Sequence, residues 1–156
     1  MIFLTHLLAG ILAVAYFGHY FGIHASTNSE KVIVIATAML FAALPDIDIV
    51  KSKVGEHLQP FSTVISFVFR HRGFLHSFIF AAIVYFGIRY LLSPAIAAAA
   101  AIGYSSHLLL DSLTKEGIMP LSPLSKFRLR GFIKTDGILE KAIFAAISVL
   151  LLLKLF

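Results

Sequence analysis

Residues 93–113 read SPAIAAAAAIGYSSHLLLDSL, an apolar run opened by a Ser-Pro turn and interrupted near its far end by His107 and Asp111. A bilayer hydrocarbon core about 30 Å thick needs about 20 helical residues, so the run has the length of one membrane crossing. The five alanines of residues 97–101, with Gly103, Ser105 and Ser106, give it a small-residue surface on which other helices can approach closely. This predicts a central helix. His107 and Asp111 are four residues apart, which puts both on one helix face.

The rest of the chain repeats the apolar theme. Of its 156 residues, 59% are hydrophobic and 13% charged, where an average soluble protein has about 25% charged residues. The mean hydropathy of +0.92 comes from long apolar runs separated by short charged segments. Spans are predicted over residues 2–23, 32–44 with a continuation to 50, 73–92, 95–113 and 137–156. The expected fold is therefore all-α, a polytopic integral membrane bundle of about five transmembrane helices forming one domain over residues 1–156. The first span lacks the basic start and small-residue cleavage site of a signal peptide and reads as retained. Residues 24–31 suit a turn or helix cap. Pro45 is placed to break or bend the last turn of the second span. Residues 51–72 carry apolar side chains at helix-like intervals, as a surface helix would, and residues 114–136 read as a structured loop.

Cysteine is absent, which excludes disulfides, thiolate catalysis and cysteine-ligated metal or iron–sulfur sites. The net charge of +5 would suggest nucleic acid in a soluble chain. In a membrane chain it reads as topology and contact with anionic lipid, and no nucleic-acid partner is expected. Five spans place ten basic residues on the side of the N-terminus (Lys51, Lys53, Arg70, Arg72, Lys115, Lys126, Arg128, Arg130, Lys134 and Lys141) and three on the other (Lys31, Arg89 and Lys154). The positive-inside rule then predicts a multi-pass protein of the cell inner membrane with a cytoplasmic N-terminus and the C-terminus opposite.

That topology gathers polar residues from the whole chain at one depth. His6 begins the first span, Asp46 and Asp48 end the second, His71 and His76 flank the start of the third, His107 and Asp111 end the fourth, and Glu140 begins the fifth. Ionisable groups in hydrocarbon are costly unless paired, hydrated or metal-bound, so such a cluster marks a functional site on the cytoplasmic side. Imidazole nitrogens with carboxylate oxygens suit a divalent metal, zinc or manganese first, with iron also compatible. His6, Asp46, Asp48, His71, His76, His107 and Asp111 are enough donors for one or two ions. Arg72 reads either as a membrane-side anchor or as a guanidinium gripping an anionic substrate oxygen. Glu140 reads as a first-turn charge, a further ligand or an acid–base group. Ser77 beside His76 is a helix-packing hydroxyl in this reading, since adjacent helical residues diverge, and no serine hydrolase is expected.

At Thr5-His6, at Leu44-Pro45-Asp46-Ile47-Asp48, at His71-Arg72-Gly73-Phe74-Leu75-His76-Ser77 and at His107 to Asp111 followed by Leu113-Thr114, the chain resembles the bacterial YdjM-like family of membrane-bound metal-dependent hydrolases. The resemblance runs on through Gly117 and Glu140. It implies an integral membrane protein with a metal-dependent hydrolytic site. The leading expectation is hydrolysis of a phosphoester in a membrane phospholipid or another membrane-associated substrate, with Arg72 orienting the phosphate. The competing readings are a divalent-metal or proton-coupled transporter and a metal-stabilised scaffold that binds lipid or a protein partner of unknown identity.

Overall fold

A computed structural model describes residues 1–48 and 73–155. Its elements are helical: α1 (Phe3–Phe17) with a 3-10 turn at Gly18–Phe21, α2 (Asn28–Ala43) with a 3-10 turn at Leu44–Asp48, a 3-10 turn at Phe74–His76, then α3 (Phe78–Leu91), α4 (Pro94–Ser112) and α5 (Ile138–Leu155). Among the described residues no strand forms, and sheet-like pairing is limited to isolated bridges at Thr114 with Ile133 and Ile118 with Leu129. The all-helical expectation holds. Among the described residues, two helical stretches qualify by length and composition to cross a membrane, Phe3–Phe21 and Asn28–Asp46, while Phe78–Leu91 is apolar but shorter. The outer surface leaves Phe17, Ile33, Leu40, Phe86, Leu91 and Leu153 exposed, more apolar surface than water favours.

Local chemistry sets the helix ends. Thr27 and Glu30 close a capping box at the start of α2: the Glu30 amide donates to Thr27 Oγ1 at 3.2 Å, and the Thr27 amide donates to Glu30 Oε2 at 3.1 Å. The helix therefore begins four residues before the apolar run does. At its other end the regular turns stop at Ala43 and a 3-10 turn carries Pro45 and Asp46 inward, as expected of a proline that cannot donate to the ladder. The third span departs from the expected continuous helix over 73–92. Phe74–His76 is a separate 3-10 turn, Ser77 is extended (φ −127°, ψ 151°), and α3 starts only at Phe78. Ser77 is the N-cap, its Oγ accepting from the Phe80 amide at 3.1 Å and donating to the Phe74 carbonyl at 2.7 Å, so its hydroxyl ends one helix turn and begins another.

The central position predicted for α4 is found. It packs on α1, α2 and α3, and it buries Ala97 to Ala100, Gly103, Tyr104, His107, Leu108 and Asp111. Helix α5 packs on α1. Close approach is enforced at Gly103, where an added Cβ would lie 2.2 Å from the Ala38 carbonyl oxygen of α2. A Cβ at Gly10 of α1 would meet Ala42 Cβ at 2.8 Å and the same Ala38 carbonyl oxygen at 3.1 Å. Glycines on α1 and α4 thus let both helices approach α2 closely at Ala38. The loop after α4 folds back on itself through Ile118 and Leu129, which exchange backbone hydrogen bonds of 3.0 and 2.9 Å. Gly117 takes a left-handed conformation there (φ +64°), which glycine adopts at no steric cost, and a Cβ at this position would also strike the Leu129 carbonyl oxygen. Tyr104, Leu108, Ile118 and Ala81 form the adjoining core.

Candidate metal centre

Four elements bring five donors to one end of the helix bundle: His6 on α1, Asp46 in the turn after α2, His76 in the turn before α3, and His107 with Asp111 on α4. All five are buried. His6 Nε2 lies 3.4 Å from Asp111 Oδ1, and His107 Nε2 lies 3.7 Å from Asp111 Oδ2 and 3.8 Å from Asp46 Oδ1. His76 Nε2 is 3.8 Å from Asp111 Oδ2 and 4.0 Å from Asp46 Oδ1. The His6 and His107 rings stack at 3.8 Å, and His76 meets His107 edge-on at 5.3 Å.

Most of these separations are too long for hydrogen bonds, whose N···O distances are about 2.7–3.2 Å. They suit a shared ion instead: donors about 2.1 Å from a tetrahedral metal lie about 3.4 Å from one another. Two donor triads satisfy the spacing, His6 with Asp46 and His107, and His76 with His107 and Asp111, each with its donor atoms within 4.8 Å of one another.

The protonation of His107 is set by the backbone. Its Nδ1 lies 2.7 Å from the carbonyl oxygen of Ala42. A carbonyl only accepts, so Nδ1 carries the proton and Nε2 presents a lone pair toward both carboxylates. That is the orienting bond a metal-ligating histidine requires. Among the described residues, His107 Nε2, His6 Nδ1 and the hydroxyl of Thr5 make no hydrogen bond although they are buried. Buried polar atoms without partners are costly, and the unbonded Nε2 of His107 sits where a cation would be held. Two buried carboxylates in one cluster also call for positive charge, and the Met1 ammonium lies 2.9 Å from Asp111 Oδ1. The residues present therefore fit a divalent ion.

Glu140, in the first turn of α5, is fully buried and faces different partners. One carboxylate oxygen accepts from the Ile2 amide and the other from the Asp136 amide at 2.5 Å. It ties the start of α1 to the start of α5. Asp48 ends the 3-10 turn that carries Asp46, but its side chain lies outside the described residues, as do His71, Arg72 and the surface segment expected over 51–72. Sequence reasoning missed two groups at the centre: the Ala42 carbonyl, bonded to His107, and the Met1 ammonium, beside Asp111.

Fold and centre together define a protein that is all-helical among the described residues, with apolar helices around a buried histidine–aspartate cluster suited to a divalent cation. The chain belongs to the YdjM inner membrane protein family, whose family model matches residues 1–155. It is 34% identical over 146 residues to the uncharacterized protein YvsG of Bacillus subtilis (strain 168), covering 92% of this chain and 88% of that protein. It is 37% identical over 111 residues to the inner membrane protein YdjM of Escherichia coli (strain K12) and to that of Shigella flexneri, covering 67% of this chain and 57% of each relative. No solved structure matches the chain.

Proposed function

We propose that this protein is a metal-dependent hydrolase of the inner membrane that cleaves a phosphoester in a phospholipid or another membrane-associated substrate. The observation that carries the reading is the His107 arrangement: a buried imidazole whose Nδ1 is tied to Ala42 and whose Nε2 faces two carboxylates without a hydrogen bond. In this reading the chain crosses the membrane five times, with the N-terminus and the site cytoplasmic and the C-terminus on the opposite side, as its distribution of basic residues favours.

His6, Asp46, His76, His107 and Asp111 would hold the ion, zinc or manganese before iron, with Asp48 and His71 the further donors the sequence pattern offers. A divalent ion held there would supply Lewis acidity, making water a competent nucleophile near neutral pH and stabilising charge on phosphoryl oxygens. The chain supplies the rest. Arg72 grips a phosphate oxygen through its guanidinium, the apolar helix surfaces bring the substrate from the lipid, and burial of the donors keeps bulk water out.

Metal analysis of gently solubilised, monodisperse protein tests the reading, together with release of phosphate or phosphomonoester from defined phospholipids. The expected result is one or two equivalents of zinc, manganese or iron, and turnover that falls with chelation and returns on adding the metal back. Turnover that persists in metal-free protein would overturn it. So would metal flux into vesicles with no substrate cleaved, which is the transporter outcome.

Glu140 belongs to the positioning of α1 in this reading, and Glu140→Gln distinguishes that role from ligation. An amide places a donor against a backbone N–H, so the melting temperature falls by an amount corresponding to about 1–3 kcal/mol. Metal affinity of the folded variant stays within about tenfold of the parent. A loss of metal beyond about 100-fold with an unchanged melting temperature would make Glu140 a ligand.

A further inference from the structure

An apolar groove of about 540 Å³ runs along α4 between α1 and α3, and Arg89 lies in its wall. Its floor on α4 includes Pro94, Ala98, Ala101, Ser105 and Leu109, positions that fall on one stripe of the helix. From Pro94 to Leu109 the rise is about 22 Å at 1.5 Å per residue, longer than one bilayer leaflet at about 15 Å of hydrocarbon. Tyr85, one turn before Arg89 on α3, lines the same groove. Helix α3 begins at Phe78, two residues after the metal-centre His76, and ends at Leu91, so Arg89 is at the end of the bundle away from the metal centre.

Arg89 is exposed, and no carboxylate lies within 4.0 Å of it among the described residues. At that end the Glu30 carboxylate is engaged by the amides of Ser26 and Thr27. A guanidinium with no acidic partner among the described residues, opening onto an apolar channel of acyl-chain length, is complementary in charge and shape to an anionic phospholipid. We propose that this groove is a binding site for an anionic phospholipid, with the phosphate on Arg89 and one acyl chain lying along α4 toward Ser105 and Leu109. The site is separate from the metal centre and does not rest on the hydrolase reading. Arginine suits the task because its planar fork gives paired hydrogen bonds to phosphate oxygens.

Native mass spectrometry with added phosphatidylglycerol or phosphatidylcholine, paired with photo-crosslinking by phosphatidylglycerol carrying a diazirine near the head group or at the acyl terminus, tests the proposal. One phosphatidylglycerol per chain is expected, in preference to phosphatidylcholine. Arg89→Gln lowers its occupancy by about tenfold, as loss of a charged hydrogen-bond partner does, and Arg89→Lys retains part of it. Ala101→Phe fills the channel and removes the acyl-terminus cross-link. All three variants keep the monodispersity and melting temperature of the parent within a few degrees, which reports that each has folded. The head-group probe labels residues around Arg89 and the acyl-terminus probe labels residues around Ser105 and Leu109. Equal binding of the two lipids, or an unchanged Arg89→Gln, would overturn the proposal. A reversed labelling pattern would also overturn it, making the groove the tail channel of a lipid whose head group sits at the metal centre.

Discussion

Asp111→Asn is expected to abolish metal binding while leaving the protein folded. Asp111 is the hub of the centre: its Oδ1 lies 3.4 Å from His6 and 2.9 Å from the Met1 ammonium, and its Oδ2 lies 3.8 Å from His76 and 3.7 Å from His107. Groups that only orient a metal ligand cost about 10–100-fold in affinity when removed, so loss of a direct anionic donor shared by three histidines should exceed about 100-fold. The asparagine keeps the shape of the side chain and an oxygen that can still accept from the ammonium. Asp111→Ala removes both, leaves that ammonium buried without its partner, and should cost a further 3–5 kcal/mol, roughly, in stability. Metal titration and thermal melting of the two variants side by side check this. An Asp111→Asn protein that binds metal as the parent does would remove Asp111 from the ligand set and with it the triad it forms with His76 and His107.

The His107–Asp111 pair could be recognised in the sequence because helical spacing alone places the two on one face, and the small residues before them announce a helix that neighbours can approach. The same holds for the end of α2: Pro45 cannot continue the helix, so Asp46 turns inward beside them. His6 and His76 were reachable only through the alternation of spans, which sets depth but not azimuth. What could not be read is carried by the backbone. No side-chain pattern identifies the Ala42 carbonyl as the group that sets the His107 tautomer, because any residue at that position has a carbonyl and only the approach of α2 to α4 selects this one. The start of α3 at Phe78 was hidden for a related reason: Phe74, Leu75 and Phe78 look alike as apolar residues, and the break between them depends on the Ser77 hydroxyl bonding to neighbouring backbone rather than facing a packed helix. Glu140 could be placed at a helix start but not given its partners, which are amides more than 130 positions away in one case and four in the other.

The approach of α2 to α4 therefore links packing to chemistry, and Gly103→Val is expected to disrupt both. Even a Cβ at Gly103 would lie 2.2 Å from the Ala38 carbonyl oxygen, a backbone atom that cannot move aside without moving α2. The two helices must separate, and the 2.7 Å bond from His107 Nδ1 to the Ala42 carbonyl, one turn further along α2, is stretched with them. The destabilisation should reach or exceed about 3 kcal/mol, the upper end of ordinary overpacking, and the protein that remains folded should bind metal more weakly by about 10–100-fold through the lost orienting bond. Gly10→Ala should be milder. Its nearest neighbour would be the Ala42 methyl at 2.8 Å, with the Ala38 carbonyl oxygen at 3.1 Å, so smaller shifts relieve it. Among the described residues, nothing lies within 4 Å of where a Cβ at Gly87 on α3 would be, and Gly87→Ala should stabilise the helix by about 0.5–1 kcal/mol. Melting temperatures should rank Gly87→Ala above the parent, then Gly10→Ala, then Gly103→Val. Metal affinity should fall only where α2 has been pushed from its place. If Gly103→Val melts with the parent and binds metal as tightly, the close α2–α4 contact is not what holds His107 in its ligating tautomer.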